Sequence, residues 1–259
     1  MSIRTKLFFL AITLLNFSAA GQHAKNKVDI VVIDAGHGGK DRGTMGVSLK
    51  EKDVALKISL KVGDYIEKNI PGVKVVYTRT DDRYLALDER AAIANKNKAD
   101  LFICIHANAV SKPEIIGTET YVMGLHKSEG NLDVAKRENA VMLLDDNYQE
   151  RYEGFDPNSP ESYILFSIAQ SAFQESSIDF AEKVESQFKS RVGRRSHGVK
   201  QAGFWVLWRT AMPSVLIEVG FLTNPKEEAF LNDESGQNLI ASGIYRAFKD
   251  YKKQVESLN

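Results

Sequence analysis

Val31-Val-Ile-Asp-Ala-Gly-His-Gly-Gly39 is an apolar, β-branched run that ends abruptly in a glycine-rich turn carrying one histidine, His37. Residues 101–105 form a second apolar run, which is followed directly by His106 and then by Asn108. Short apolar runs bounded by turn residues are typical of buried strands. The sequence therefore predicts two central strands, each of which delivers a histidine at its carboxyl end.

A third apolar run, residues 215–217, ends in Glu218. In open α/β sheets, ligands bind outside the carboxyl ends of the strands. We therefore expect His37, His106 and Glu218 to share one site at that edge of the sheet. Two histidines and a carboxylate in one place are typical of a metal enzyme.

The rest of the chain alternates predicted strands with segments whose apolar residues recur at helical spacing. Helices are predicted to begin at Glu51 and near Asp88, and further helices are predicted around residues 181–192 and 239–251. The predicted strands cover residues 28–33, 73–78, 101–105, 117–123, 204–208 and 214–219. The predicted fold is a single α/β domain over residues 28–254, with a twisted, mostly parallel or mixed sheet of about six strands and helices on both faces.

Residues 124–176 interrupt this alternation. One helix is predicted over residues 132–148, a loop over residues 154–160, and a second helix over residues 163–173. A segment of this size inside a compact domain is usually functional or mobile. We therefore expect this insertion into the alternation to be functional or mobile.

The first 20 residues are typical of a secretory signal peptide. Arg4 and Lys6 precede an apolar run at residues 7–15, and small residues lead to Ala20. The run is too short to cross a bilayer, which takes ~20 residues, although a retained membrane anchor is the alternative. After a polar lead-in at residues 21–27 the domain begins. We expect export, with the periplasm as the compartment.

The composition argues against a nucleic-acid partner, because Lys plus Arg and Asp plus Glu both number 34 and the net charge is zero. The single cysteine, Cys104, falls inside a predicted strand, so no intrachain disulfide can form. We interpret Cys104 as apolar filler rather than a nucleophile, because the strand offers its thiol no activating partner.

Imidazole nitrogens and a carboxylate oxygen are the ligands of catalytic zinc, which leaves a fourth position open. His37, Glu51 and His106 make such a set if the loop after the glycine turn brings Glu51 back beside His37. At a helix start, Glu51 has the simpler alternative role of pairing with the helix dipole. Glu218 is predicted to be the general base, because partial desolvation at a strand end raises the pKa of a carboxyl group.

Each histidine has a structural alternative, because a lone histidine at a strand end is more often hydrogen-bonded than metal-bound. Two histidines in the same setting favour the metal site. His23, His126 and His197 lack that setting. We expect His23 to lie in a solvated tail and His197 in a loop, and we leave His126 undecided.

Four motifs in register resemble the type 3 family of zinc-dependent N-acetylmuramoyl-L-alanine amidases. They are Ile33-Asp-Ala-Gly-His-Gly-Gly39, Glu51 at the next helix start, Ile105-His-Ala-Asn-Ala109 and Ile217-Glu-Val-Gly-Phe-Leu-Thr-Asn224. Thr78-Arg-Thr-Asp-Asp82 and Leu87-Asp-Glu-Arg90 are also similar to the family pattern. The resemblance extends over nearly all of residues 28–231.

The resemblance implies hydrolysis of the amide between N-acetylmuramic acid and L-alanine in peptidoglycan. It places one zinc ion per chain on His37, Glu51 and His106, and the catalytic carboxylate on Glu218. Asn108 and Arg90 occupy motif positions too, and we assign them to the support of the site.

The insertion resembles that of division-associated members, in which a helix covers the active site and a glutamate occupies the metal. Glu138 and Glu129 are the candidates for such an autoinhibitory metal contact in a regulatory insertion at about residues 125–174, although for each glutamate alone an ordinary solvated charge is the favoured interpretation. The resemblance implies a role in cell-wall remodelling and daughter-cell separation, with a periplasmic activator protein as partner. We expect the chain to be a monomer.

Two other functions compete with this prediction. Another zinc amidohydrolase, such as a peptidoglycan carboxypeptidase or deacetylase, would use the same metal and general base. A noncatalytic wall-binding protein would dispense with the base, and the presence of Glu218 argues against it. Analysis of the released products separates the first two classes, because the amidase frees stem peptides that begin with L-alanine.

Overall fold

A six-stranded mixed sheet with strand order β2-β1-β3-β6-β4-β5 forms the centre of the computed structural model, which describes residues 27–164, 166 and 172–257. The strands are β1 (Ile30–Ala35), β2 (Lys74–Tyr77), β3 (Leu101–Asn108), β4 (Thr118–Met123), β5 (Ser196–Ala202) and β6 (Ser214–Phe221). Strands β2, β1, β3 and β6 run parallel, whereas β4 pairs antiparallel with β6 and parallel with β5. This topology confirms the predicted α/β fold.

Helices cover both faces of the sheet, as the sequence predicts. The α-helices are α1 (Glu51–Asn69), α2 (Leu87–Lys96), α3 (Glu129–Asn139), α4 (Tyr148–Arg151), α5 (Gln174–Gln187), α6 (Trp205–Trp208), α7 (Pro225–Asn232) and α8 (Glu234–Ser257). Two 3-10 turns, Ala140–Leu144 and Pro160–Ile164, and one π turn, Phe188–Val192, complete the helical elements of the described residues. No helix in that part of the chain is long and apolar enough to cross a membrane.

The two faces of the sheet carry separate hydrophobic cores. On the first face, strand residues such as Ile103 and Ile217 pack against apolar residues of α1, α5 and α8, including Ile58 and Phe180. On the second face, the residues that alternate with them, such as Phe102 and Leu216, pack against a different set of elements. Alternation along each strand therefore assigns neighbouring residues to opposite cores.

The insertion supplies a large part of the second core. Met142, Tyr152, Phe155, Tyr163 and Phe166 are all buried there, together with Trp205 of α6. Their rings contact one another edge to face or tilted, with centroids about 5 to 6 Å apart, for example 5.3 Å between Phe155 and Trp205. The inserted segment is therefore part of the folded domain and not an appendage to it.

The predicted strand over residues 204–208 is wrong, since Trp205–Trp208 is the short helix α6. A short apolar run does not distinguish a buried strand from a buried helical turn. The sixth strand is instead β5, Ser196–Ala202, a half-buried edge strand that the sequence analysis missed because it is polar. His197 accordingly lies in β5 and not in a loop.

Other predicted boundaries shift by a few residues. The helix predicted to start near Asp88 begins at Leu87 and has Ala86 as its N-cap residue. The helix predicted over residues 132–148 divides into α3 and a 3-10 turn that ends at Leu144. Three predictions lie wholly or mostly outside the described residues. They are the signal peptide at residues 1–20, the lead-in at residues 21–26 with His23, and most of the helix over residues 163–173.

Candidate metal centre and catalytic carboxylate

The turn after β1 presents His37 through a backbone of unusual conformation. His37, Gly38 and Gly39 have consecutive positive φ angles of 60°, 128° and 56°. Residues with a Cβ atom rarely adopt such angles, so the glycines are needed here. The neighbouring Gly36 is needed for space, because a Cβ atom on it would lie 2.5 Å from Nε2 of His106.

Two buried arginines hold the carbonyl groups of this turn. Arg90 donates to the carbonyl oxygen of His37 at 2.7 Å and pairs with the Asp34 carboxylate at 2.9 Å. Arg79 donates to the carbonyl oxygens of Ala35 at 2.9 Å and of Gly36 at 2.7 Å. Charged donors on carbonyls are among the stronger hydrogen bonds in proteins. Arg90 therefore contacts the backbone of the turn that carries His37.

Four buried side chains converge beyond this turn: His37, Glu51, His106 and Glu138. Glu51 Oε1 lies 3.0 Å from His37 Nε2 and 3.0 Å from His106 Nδ1. Glu138 Oε2 lies 3.3 Å from His37 Nε2 and 2.9 Å from His106 Nδ1. The structure therefore brings together the three predicted metal ligands and one of the two glutamates predicted from the insertion.

Neighbouring groups fix the orientation of the cluster. Asp41 Oδ2 lies 2.7 Å from Nδ1 of His37, which leaves Nε2 of that ring directed at the cluster. The Glu51 carboxylate accepts the backbone N–H groups of Thr44 at 2.7 Å and Ala107 at 2.9 Å. Partners of this kind orient metal ligands in proteins, and their loss weakens metal binding.

The donor set fits a zinc ion. Tetrahedral zinc with bonds of about 2.0 to 2.1 Å places its ligand atoms roughly 3.3 Å from one another. The four distances above are 2.9 to 3.3 Å, and all the ligand atoms of the cluster lie within 4.8 Å of one another. Among the described residues, His37 Nε2 and Glu138 Oε2 are buried without an aligned hydrogen-bond partner. Buried polar atoms are seldom left without a partner, so their shared direction towards one point indicates a cation position.

Glu218 lies beside this cluster in the second half of β6, opposite His106 of β3. It is 0 % exposed, and within the described part of the chain neither of its carboxylate oxygens has a hydrogen-bond partner. Burial and the negative charges of Glu138 and Glu51 raise the pKa of Glu218 well above its ordinary value. A buried carboxylate that accepts no hydrogen bond and has a raised pKa is suited to taking up and releasing a proton.

Helix α3 of the insertion covers both the cluster and Glu218. Arg137 donates through Nε to Glu138 Oε1 at 3.0 Å, and its Nη2 lies 3.7 Å from Glu218 Oε1. Glu129 is at the other end of α3, exposed to solvent and outside the cluster. A cleft of about 270 Å³ remains beside the cluster, lined by residues that include Thr44, Arg137 and Leu144.

Comparison with known proteins gives the family. The Amidase_3 family, described as N-acetylmuramoyl-L-alanine amidase, matches residues 31–250. The chain belongs to this family. The amidase is 34% identical over 245 residues to the uncharacterized protein YqiI of Bacillus subtilis (strain 168), which covers 95% of this chain and 94% of the relative.

Solved structures agree with this assignment. The N-acetylmuramoyl-L-alanine amidase from Clostridium difficile 630 is 29% identical with a TM-score of 0.65, over 87% of this chain and 97% of that one. The CwlD amidase from Clostridioides difficile is 25% identical with a TM-score of 0.64, over 87% of this chain and 99% of that one. Peptidoglycan is accordingly the substrate of the amidase, and the competing classes of zinc amidohydrolase and noncatalytic protein are set aside.

Several residues of the amidase site escaped the sequence analysis. Asp41 carried a usable signal, since it follows His37 by four residues across a glycine turn. Arg137 and Glu119 carried no such sequence signal. Only the tertiary structure brings Arg137 to Glu218 and Glu119 to Asn108. Cys104 donates its thiol hydrogen to Asp34 at 2.9 Å, and burial raises the pKa of that thiol to about 12, so it stays protonated.

Proposed function

We propose that this amidase is a zinc enzyme, that His37, Glu51 and His106 hold one zinc ion per chain, and that Glu218 is its general base and acid. The observation that carries the proposal is the convergence of buried ligand atoms next to a buried carboxylate that accepts no hydrogen bond within the described part of the chain. Zinc, when bound, polarises the amide carbonyl and makes water more acidic.

Glu218 would move the proton that hydrolysis requires. It accepts a proton from water as the oxygen of that water bonds to the carbonyl carbon, and it then donates the proton to the nitrogen as the carbon–nitrogen bond breaks. The products are the lactyl carboxylate of N-acetylmuramic acid and a stem peptide with a free L-alanine amine. The raised pKa of Glu218 is consistent with both halves of this transfer.

We further propose that the structure is a resting state in which the insertion at about residues 125–174 inhibits the enzyme. Glu138 fills the fourth position of the cluster, where an active zinc site needs water. Glu138 is the carboxylate on which this proposal rests, because the other candidate, Glu129, is exposed at the far end of α3.

A resting state of this kind needs a partner that releases it. The CwlD amidase named above is solved in complex with the GerS lipoprotein, so amidases of this fold do bind accessory proteins. We propose a periplasmic activator protein that displaces α3, an exported monomeric enzyme, and a role in cell-wall remodelling and daughter-cell separation.

Release of stem peptides from purified sacculi, identified by mass, tests the proposed chemistry. The assay would compare four proteins, and the zinc content of each would be measured. They are the wild-type chain, Glu138→Ala, and two double variants that combine Glu138→Ala with Glu218→Gln or with His106→Ala. We expect Glu218→Gln to abolish peptide release and keep its zinc, whereas His106→Ala loses both. Full activity of the Glu218→Gln form would refute the assignment of the general base.

Matched controls separate chemistry from folding. Glu129→Gln removes a carboxylate from the exposed start of α3, and we expect it to behave as its parent in both measurements. Deletion of residues 125–174 is a poorer test of inhibition, because it would also remove the aromatic residues that cover the second core.

A further inference from the structure

The guanidinium group of Arg137 occupies a position next to the proposed general base. Its Nη2 donates to Oδ1 of Asn108 at 2.8 Å and lies 3.7 Å from Oε1 of Glu218. Its Nη1 donates to the carbonyl oxygen of Ala109 at 3.0 Å. A nitrogen that carries hydrogen therefore lies between Asn108 and Glu218, beside the metal cluster.

The scissile amide must place its own nitrogen in this region during hydrolysis. Glu218 can give a proton to that nitrogen only from hydrogen-bond distance. The amide N–H is then removed from water and needs an acceptor, since an unpaired buried donor is costly. Oδ1 of Asn108 already accepts such a hydrogen from Arg137 in the resting state.

Glu119 determines which end of the Asn108 side chain faces the site. Its Oε2 accepts from Nδ2 of Asn108 at 3.1 Å and from the Tyr121 hydroxyl at 2.7 Å, and its Oε1 accepts from Lys200 at 2.5 Å. An ionised carboxylate can only accept hydrogen bonds. The amide NH₂ of Asn108 therefore points to Glu119, while its Oδ1, which also accepts from the backbone N–H of Ala109 at 2.7 Å, faces Arg137.

Strand pairing carries this arrangement. Glu119 lies opposite Glu218 in the antiparallel register of β4 and β6, and His106 lies opposite Glu218 in the parallel register of β3 and β6. Asn108 follows His106 by two residues, so the same face of β3 presents a metal ligand and then this amide. The sheet thus sets the spacing of all four side chains.

We propose that Asn108 is a catalytic residue whose Oδ1 accepts the N–H of the scissile amide, and that Glu119 is its positioning residue. This inference rests on the proposed role of Glu218 and goes beyond it. As the carbon–nitrogen bond breaks, the nitrogen receives one proton from Glu218. It keeps its own hydrogen, which stays hydrogen-bonded to Oδ1 of Asn108. Arg137 fills the same position in the resting state and so blocks the leaving nitrogen, while Glu138 blocks the metal.

The hydrogen bond to Asn108 should act mainly in the transition state. The leaving nitrogen becomes more positive as it is protonated, which strengthens its hydrogen bond to a carbonyl acceptor. An interaction that strengthens only in the transition state changes kcat more than KM. We therefore expect loss of Asn108 to lower kcat by roughly 10- to 100-fold, with a change in KM of less than about threefold.

A paired-substrate experiment tests the inference on the full chain carrying Arg137→Ala and Glu138→Ala, in which neither side chain blocks the site. One substrate is a synthetic muramoyl peptide with the natural amide. The other has L-lactate in place of L-alanine, so that an ester oxygen replaces the scissile N–H. We expect Asn108→Ala to slow the amide as stated and to change kcat for the ester by less than about threefold.

Glu119→Gln is the second variant, because it preserves volume and does not depend on the fold tolerating Asn108→Ala. With its oxygen held by Lys200, the new amide would turn its NH₂ to the NH₂ of Asn108, whose Oδ1 is held by the N–H of Ala109, and the two facing donors would displace the Asn108 side chain. We expect the same selective loss on the amide substrate, smaller than that of Asn108→Ala.

The outcomes are distinguishable. Equal losses on amide and ester in folded variants would mean that Asn108 and Glu119 have only structural roles, and would overturn the inference. Glu218→Gln should slow both substrates, because both need proton transfer. Unchanged turnover in Glu218→Gln, or no turnover by the parent, would instead refute the proposed function.

Discussion

Substitution of Glu138 by alanine should activate the enzyme. In the resting structure the Glu138 carboxylate is 5 % exposed, lies 2.9 Å from His106 and 3.3 Å from His37, and accepts from Arg137 at 3.0 Å. Removing one partner of a buried set of charges costs about 3 to 5 kcal/mol. That cost falls on the closed state alone, because the open state lacks these contacts.

The expected rate follows from this free energy. Each 1.4 kcal/mol changes a ratio of populations about tenfold, so the ratio of closed to open enzyme should fall by roughly 100- to 4,000-fold. The basal rate of stem-peptide release should rise by the same factor until the open state predominates. The assay is the initial rate of peptide release from purified sacculi in the absence of any partner protein.

Glu129→Ala is the matched control, because it removes the same group from the exposed start of the same helix. Its rate should stay within about twofold of wild type. A folded, zinc-loaded Glu138→Ala enzyme that releases peptide no faster than wild type would refute the reasoning, since it would show that this contact does not limit activity.

Three further results are expected. Gly38→Ala should lower the free energy of unfolding by about 2 kcal/mol or more, measured in urea, because Gly38 has a φ of 128° and a new Cβ atom would lie 2.2 Å from the Arg83 carbonyl oxygen. Removal of metal by a chelator should abolish activity and lower the Tm. Zinc added back at 100 times its Kd should restore about 2.7 kcal/mol of the free energy of unfolding. An unchanged Tm after chelation would argue against a bound metal. Burial raises the pKa of Glu185 above 4.5 even though Thr120 and Ser196 donate to it, so the native state binds more protons than the unfolded chain and stability should fall as pH rises from 4.5 through the raised pKa. Glu185→Gln should flatten this part of the profile of unfolding free energy against pH, and an identical slope in both proteins would contradict it.

The central part of the fold and the site was predictable because local sequence encodes it. The runs that end in His37, His106 and Glu218 are apolar enough to be buried strands, and parallel strands bring their carboxyl ends together. Glu51 followed from the short loop that separates it from His37. The structure brings His37, Glu51 and His106 together and places Glu218 opposite His106 in the register of β3 and β6.

The rest depended on information that is not local. Residues 204–208 have the composition of a strand, yet α6 forms there because tertiary packing of Trp205 decides between two conformations of a short apolar run. The polar edge strand Ser196–Ala202 has no pattern of its own and exists through its pairing with β4. Glu119 reaches Asn108 only through strand register, which no single stretch of sequence reveals.

The aromatic residues at the far end of the insertion have a consequence for how inhibition is reversed. Phe155, Tyr163 and Phe166 anchor that end against Trp205, while Glu138 lies some way before them on the same segment. A displaced α3 therefore stays tethered, and its local concentration at the metal site remains in the range of about millimolar however dilute the enzyme becomes. The proposed inhibition should be independent of enzyme concentration and should return as soon as the proposed activator dissociates, which would confine hydrolysis of the wall to the time and place of that contact.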